Sequence, residues 1–437
     1  MAEKIISPGV FTNEIDQTFL PSAVADIGAA LIGPTLKGPA GIPTVVTSFS
    51  DFQAKFGDVF KSGSRQYQFL TSHAAEEYLK NSDTLTVVRI MDGGFGPASA
   101  SITCSAVADN AFKLTTISHG TIMNNATASS NTDNLMDSGS KHNIRYEVSN
   151  VNNTKGTFTL AIRAGNDTHR RKQRLETFTN ISLDPNSTNY ILKRVGDQVD
   201  TVLTDENSKP FLALSGSFPR KSRYVTVSKV KNTIDYLDEN GNIRDNAQSQ
   251  SLPAAGSGSS HGGFSGGVAG FSDFDALGNH QGTDATASAV NFYDSITTQT
   301  QGFLPETANK GKTAYIQALD LLSNQDEYDI NLIMAPGILN SVHTTVSKKM
   351  IDVCEERGDC FAIIDPVAYG VNVGDATTEA EGRDSNFAAM YWPWVMVPDS
   401  QIAGTHRWVP PSVVMGGIYA FNDRVAHPWF APAGLNR

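Results

Sequence analysis

The sequence predicts a mixed α+β protein: a discontinuous α/β core domain of parallel βαβ units, a large inserted β-rich region, and an extended N-terminal arm. Three observations carry that reading. Short apolar runs at Ile27–Ile32, Leu85–Ile90, Ile330–Ala335 and Cys360–Asp365 alternate with helical periodicity, as in a parallel sheet buried on both faces. From about Pro97 to Thr300 the texture changes to short alternating runs between Asn/Asp/Gly/Ser turns, an all-β signature. At the start, a β-branched and aromatic run stands alone, with nothing local to pair with before Pro21.

That run defines the arm, residues 1–24. Ser7-Pro8-Gly9 breaks the chain, and Val10, Phe11, Thr12, Asn13, Glu14 and Ile15 follow as a strand-capable segment. A strand held apart from its domain can link copies by strand addition, where main-chain hydrogen bonds supply affinity. The first part of the core, 25–96, holds the Ile27–Ile32 strand, closed by Gly33-Pro34. Ser50 can cap a short helix from Asp51 to Phe56, ended by Gly57. Between Tyr67 and Lys80, Tyr67, Leu70, Ala74, Tyr78 and Leu79 sit near helical spacing.

The inserted region, 97–300, has its cleanest alternation at Thr157–Ala164, with Gly165-Asn166-Asp167 turning into a returning strand. Tyr224–Val230 is another strand, and Asn240-Gly241 a hairpin-type turn. The Gly/Ser/Ala-rich stretch 246–289, centred on GSGSSHGGFSGG, reads as a long flexible loop that buries too little to offset its ordering entropy. The core resumes over 301–437. Tyr315, Leu319 and Leu322 share one helix face, and the Ile330–Ala335 strand is broken by Pro336-Gly337. A helix from about Asn340 to Arg357 puts Val342, Val346, Met350 and Val353 on one face, and Gly358 ends it before Cys360–Asp365. Strand, helix and strand in that order imply a parallel pair joined by a right-handed crossover. Met390–Val397 and Val413–Phe421 add a strand and a helix.

Length and composition narrow the function classes. At 437 residues the chain suggests about three domains. Its 34 Lys+Arg against 45 Asp+Glu give 34 − 45 = −11, which argues against a general nucleic-acid binder. Charged residues are only 18%, a weakly charged polar surface that suits β-rich, assembled or virion-like proteins. The longest strongly apolar run, Met390–Val397, is less than half the ~20 residues of a membrane helix. No apolar leader opens the sequence, so triplets such as Asn125-Ala126-Thr127 and Asn186-Ser187-Thr188 are not expected to be glycosylated. Three cysteines (Cys104, Cys354, Cys360) make no disulfide framework, consistent with a reducing cytoplasm.

A parallel sheet offers a crevice at its carboxyl edge, so chemistry must be sought there. The sequence contains no G-x-G-x-x-G, P-loop, G-x-S-x-G elbow or H-E-x-x-H. Cys354 and Cys360 are spaced too widely for structural zinc and read as core residues. Asp238-Glu239-Asn240-Gly241 fails as a calcium loop because Tyr236 would occupy the first ligand position. Glu355 and Glu356, adjacent on a helix, point apart and cannot form an acid/base pair. The one basic run, His169-Arg170-Arg171-Lys172-Gln173-Arg174, reads as a solvated strand edge. No catalytic, cofactor or metal residue is assigned.

Several segments, in order along nearly the whole chain, resemble contractile-tail sheath proteins. They are Ile6-Ser7-Pro8-Gly9-Val10, Ile32-Gly33-Pro34 with Lys37-Gly38-Pro39, Phe52-x3-Phe56-Gly57, and the Leu85–Arg89 strand following Tyr78-Leu79. Ile181-Ser182-Leu183-Asp184-Pro185-Asn186-Ser187-Thr188-Asn189-Tyr190 is similar to the family's S-L-D-P-x-S-x-N-Y segment. The region from about Gly311 resembles its central domain, and Pro428-Trp429-x-Ala431-Pro432-Ala433-Gly434-Leu435-Asn436-Arg437 its P-W-x-A-P-A-G-x-N-R. The sheaths of long-tailed myoviruses, particularly of marine cyanobacterial phages, are the nearest in kind.

The resemblance implies a non-enzymatic virion tail component assembled in the host cytoplasm. Copies would stack as six-fold rings in a helical sheath around a tail tube protein, with baseplate and tail terminator proteins as further partners. No direct nucleic-acid contact, membrane insertion or cofactor is implied. Contraction would drive the tube through the host envelope for genome delivery, with Val10–Ile15 matching the family's linking arm and the inserted region facing outward. Family members continue past the P-A-G-x-N-R segment into a C-terminal domain that this chain, ending at Arg437, does not contain. The 437-residue chain alone is therefore expected not to form tubes. The alternatives are the sheath of a tailocin or another contractile injection system, or, in a different class, a subtilisin-fold hydrolase. The hydrolase reading would need Asp365 and His343 to meet a serine.

Overall fold

A computed structural model describes residues 28–62, 65–125, 135–206, 209–254, 261–283, 296–399, 404, 406–425 and 429–433. The arm residues Val10, Phe11, Thr12, Asn13, Glu14 and Ile15 lie outside them. Around the described residues the architecture is mixed α and β.

A six-stranded sheet runs edge to edge through Thr44–Val46, Leu85–Arg89, Gly28–Gly33, Ile330–Leu339, Phe361–Asp365 and Ala388–Met390. Only Thr44–Val46 pairs antiparallel; the other pairings are parallel. Alternate residues of a strand point to opposite faces, and both faces here are covered. Ala30, Ile32, Ile333 and Ile364 pack with Tyr315, Leu319, Val346 and Met350 from helices Lys312–Leu322 and Thr344–Arg357. Ala29, Leu31, Met334 and Ile363 pack with Phe52, Phe56, Leu70, Tyr78 and Val413 from helices Phe49–Phe56, Leu70–Leu79 and Ser412–Val425. Two buried faces explain why these strands read as continuous apolar runs.

Local signals explain most boundaries. Gly358 adopts φ 74 and its amide donates to the Cys354 carbonyl at 2.8 Å, which stops the Thr344–Arg357 helix. The cap of the Phe49–Phe56 helix is Ser48 rather than Ser50: Ser48 Oγ accepts from the Asp51 amide at 3.2 Å. Tyr67 belongs to a hairpin strand, Arg65–Gln68, and the helix begins only at Leu70. Pro336-Gly337 does not break its strand, which continues to Leu339 through a register irregularity. Gly337 takes φ 87, and Gln301 Nε2 satisfies the Pro336 carbonyl at 3.0 Å, so the bulge absorbs the proline. Met390–Val397 is two elements, a parallel strand Ala388–Met390 and a strand Val395–Pro398 paired with His406–Val409.

Helix Ser412–Val425 lies on helix Leu70–Leu79 at a glycine step. A Cβ built on Gly417 would sit 2.7 Å from the Glu77 carbonyl oxygen, which is backbone and cannot swing away. Gly417→Val is expected to cost about 1–3 kcal/mol through overpacking, read as a lower denaturation midpoint. An unchanged midpoint would contradict the close approach.

Two four-stranded antiparallel sheets occupy the region between Phe95 and Ala269. One orders as Arg174–Ser182, Thr157–Ala164, Ile144–Asn152, His261–Gly263; the other as Val225–Ser228, Asn110–His119, Phe95–Thr103, Val268–Ala269. They share a core in which Phe112 and Phe158 stack at 5.6 Å. The glycine-rich stretch 246–289 departs from the flexible-loop reading where it is described: it lends a strand to each sheet and buries Phe264, Phe271 and Phe274. Thr157–Ala164 is not half-solvated either, because Thr159, Ala161 and Arg163 are buried with the rest.

Candidate functional site

The two bodies of sheet meet where the chain leaves and re-enters the six-stranded sheet, and charged side chains hold that junction. Arg89, the last residue of its strand, is buried. Its Nη1 donates to the carbonyls of Gly38 at 2.7 Å and His119 at 2.9 Å. Asp273 Oδ1 lies 3.6 Å from Arg89 Nη2, while Asp273 Oδ2 accepts from the Thr121 amide at 2.7 Å. Burial drives Arg89 down to about 10 and Asp273 upward, each opposed by the other's charge. Asp92 Oδ2 accepts from the Gly311 amide at 2.8 Å, tying the outgoing chain to the returning one. Arg89, Asp92 and Asp273 were not singled out from sequence, although an arginine and an aspartate bracketing Ile90-Met91 at the end of an apolar strand is a readable signal for the first two.

Beside the junction opens a cleft of about 1330 Å³, between the edge strand Thr44–Val46, helix Phe49–Phe56 and the antiparallel sheets. Its lining carries six cations (Lys37, Lys55, Lys141, Arg220, Lys221, Arg223) and three aspartates (Asp51, Asp58, Asp200). Lys55 pairs with Asp51 at 2.8 Å and Arg220 with Asp200 at 3.3 Å. Asp58 accepts from the side-chain amides of Gln53, at 3.0 Å, and Gln68, and burial raises its carboxyl. Burial, with Lys141 alongside, lowers the Lys37 ammonium to about 8. His142 contributes no charge near neutrality: burial lowers it to about 3, and its Nε2 donates to the Val59 carbonyl at 3.0 Å. Such a surface can attract anions. On the cleft wall Ser222 Oγ donates to Glu176 at 2.6 Å, but the same oxygen accepts from the amides of Tyr224 at 3.2 Å and Val225 at 3.1 Å, which ties it into a turn.

The residues weighed for catalysis are engaged elsewhere. Asp365 accepts from the Ser412 amide at 2.9 Å and from Ser412 Oγ at 2.6 Å, at the start of helix Ser412–Val425. His343 Nδ1 accepts from the Leu339 amide at 3.0 Å, so it carries no proton to donate to a carboxylate, as triad geometry requires. Cys354 and Cys360 are buried free thiols, both raised by burial to about 12, and Cys360 Sγ lies 3.0 Å from the Ile330 carbonyl. Glu356 faces Lys209 at 3.7 Å. Asp238 Oδ1 accepts from the amides of Asn240 and Asn242, closing a turn. Among the described residues no group of three or more His, Cys, Asp or Glu could hold a metal ion, and no helix is long and apolar enough to cross a membrane.

The basic run lies in the loop before the edge strand Arg174–Ser182; Arg170, Arg171 and Arg174 are exposed, while Lys172 folds back onto Glu147. In the 181–190 segment, Asp184 holds two amides, of Asn186 at 3.0 Å and Tyr236 at 3.3 Å, and Tyr190 donates to Asn232 at 2.8 Å. That segment shapes a tight turn against the core rather than a reactive site.

No protein-family model matches the chain. Two curated relatives do. Over 155 residues it is 27% identical to the tail sheath protein of Vibrio phage KVP40, covering 30% of this chain and 23% of the relative. Over 191 residues it is 26% identical to the tail sheath protein of Enterobacteria phage T4, covering 38% of this chain and 28% of the relative. Part of this chain resembles phage tail sheath proteins. The alignments span only about a quarter of each sheath protein's length. Among solved structures, a sheath tail protein from Listeria innocua shows 12% identity and a TM-score of 0.44, covering 92% of this chain and 57% of that one. One from Desulfitobacterium hafniense shows 12% identity and a TM-score of 0.40, covering 94% and 62%. Overlap at that level decides nothing by itself.

Proposed function

We propose that these residues form part of a contractile phage tail sheath subunit. The observation that carries the proposal is the sequence similarity to two phage proteins named tail sheath protein. On this reading copies stack as six-fold rings in a helical sheath around a tail tube, bounded by baseplate and terminator proteins. Contraction then drives the tube through the host envelope. The six-stranded sheet with its helices is the core domain, and the antiparallel sheets are the outward-facing insertion. No individual residue needs to carry the work. A few kcal/mol of differential contact per subunit, repeated over many copies, biases one lattice geometry over the other, with rigid-body repacking as the carrier.

In this proposal Val10, Phe11, Thr12, Asn13, Glu14 and Ile15 form the strand that tethers neighbouring copies. Val10→Pro removes a ladder donor from that strand. It is expected to impair polymerisation of the product of the complete reading frame containing these residues, seen as loss of tubes by electron microscopy. Normal tubes in that variant would count against the arm. The hydrolase alternative is not favoured, because Asp365 is held by Ser412 and His343 Nδ1 by a backbone amide. Labelling by a serine-directed covalent probe would revive it.

A further inference from the structure

The cleft beside the junction is short of anions. The chain as a whole carries a net charge of −11, yet this concave surface collects six cations against three aspartates. Two of those aspartates are already matched, Asp51 by Lys55 and Asp200 by Arg220. The third, Asp58, accepts from two glutamine amides and also feels the charge of Lys141, which leaves three more cations than aspartates on the cleft wall. Among the described residues no carboxylate forms an ion pair with Lys37, Lys141, Lys221 or Arg223. Lys37 is half-buried next to another lysine, a costly placement for two like charges unless an anion joins them. The cleft exceeds the usual ~300–1,000 Å³ of a small-ligand site, so a protein segment suits it better than a metabolite.

A complementary segment lies at the other end of the same sheet. Helix Val373–Glu381 and the residues after it carry Asp375, Glu379, Glu381 and Asp384 against one cation, Arg383. Glu379 and Arg383 are both taken up by Asn340, at 2.7 and 3.0 Å. Asp375, Glu381 and Asp384 are exposed, and none forms an ion pair with a described cation. This helix connects Phe361–Asp365 to Ala388–Met390, the far edge strand, whereas the cleft is lined by Thr44 and Val45 of the opposite edge strand. Five strand intervals separate the two edges by about 24 Å.

We propose that the cleft receives the acidic 373–384 segment of a second copy of this chain. The inference deepens the sheath reading and rests on it. Opposite surfaces at opposite edges of one rigid sheet make a heterologous contact, the kind that propagates into rings or helices instead of stopping at a two-fold dimer. Charge contributes mostly specificity and orientation to such a contact.

Charge reversal on each surface tests it. One variant carries Lys141→Glu, Lys221→Glu and Arg223→Glu; the other carries Asp375→Lys, Glu381→Lys and Asp384→Lys. Sedimentation velocity at low salt should show weak self-association of the parent 437-residue protein that fades as salt rises. Each variant alone should associate about tenfold more weakly or less. An equimolar mixture of the two should regain the parent's association, because each then offers the other an opposite charge; that recovery also shows both variants are folded. A parent that stays monomeric, or a mixture as weak as its parts, overturns the proposal. Loss confined to the cleft variant assigns the cleft to a different acidic partner and overturns it too. Electron microscopy of the same substitutions in the complete reading frame separates the two readings. Normal tubes with both variants leave the sheath reading standing and remove this contact; charge-dependent pairing without any tubes does the reverse.

Discussion

Arg163→Met is expected to destabilise the fold by about 3–5 kcal/mol. Arg163 is fully buried and grips Asp167 with a two-pronged contact, Nε to Oδ2 at 2.6 Å and Nη2 to Oδ1 at 2.8 Å. Its Nη1 also donates to Glu147 at 3.0 Å and its Nη2 to the Thr168 carbonyl at 3.1 Å. Asp167 is equally inaccessible, and without Arg163 it keeps only the Gln173 amide at 3.0 Å and a 3.5 Å contact with Arg145. An aspartate left in that state must stay charged in a poor solvent or take up a proton, and either is unfavourable. Arg163→Lys keeps the charge but loses the fork, so its loss should be intermediate. Chemical denaturation measures both. A cost under about 1 kcal/mol for Arg163→Met would show that the network is not supporting the antiparallel sheets.

The second large effect is acid lability. Burial drives four imidazoles below their ordinary 6.5: His73, His119 and His343 to about 4, and His142 to about 3. Neighbouring cations reinforce this at His73 (Arg407), His119 (Arg89) and His142 (Lys37). A lowered histidine is neutral in the folded protein while the unfolded chain still binds protons. Its stabilising contribution is full above pH 6.5 and lost as the pH falls toward 4. The shift is equivalent to about 3 kcal/mol at each of His73, His119 and His343 and about 5 kcal/mol at His142, so four together rival the ~5–15 kcal/mol of a typical domain. Asp365 works the other way. Burial lifts its carboxyl to about 6, so acidification between pH 6 and its ordinary 3.8 favours the folded form. Burial raises the carboxyls of Asp58 and Asp273 as well, so these three acids offset part of the loss from the four imidazoles. Tryptophan fluorescence and circular dichroism are expected to report cooperative unfolding near pH 5, with His142→Gln moving the midpoint to lower pH. Full structure retained at pH 4 would contradict the account.

How far the sequence foretold this depends on whether the signal was local. Helix Thr344–Arg357 was legible because it combines a long 3.6-residue period with a stop at Gly358, and the four apolar runs became strands of one sheet. Ser48 displaced Ser50 as a cap because the choice depends on which residue leaves helical geometry first. The glycine-rich stretch misled because Phe264, Phe271 and Phe274 are few and far apart, and composition does not reveal that each drops into an existing core. Thr157–Ala164 alternates in sequence, but its second face is roofed by the loop bringing Asp167 and Lys172, a tertiary event. The cleft left no motif at all. Lys37, Lys141, Lys221 and Arg223 come from distant segments and meet only once both sheets are built.

The most direct measurement is electron microscopy of the complete reading frame's product assembled with phage tail tubes. The account requires tubular sheaths of stacked six-fold rings around the tubes, in a longer and a shorter form. Dispersed particles that ignore the tubes, from protein shown to be folded, would contradict it.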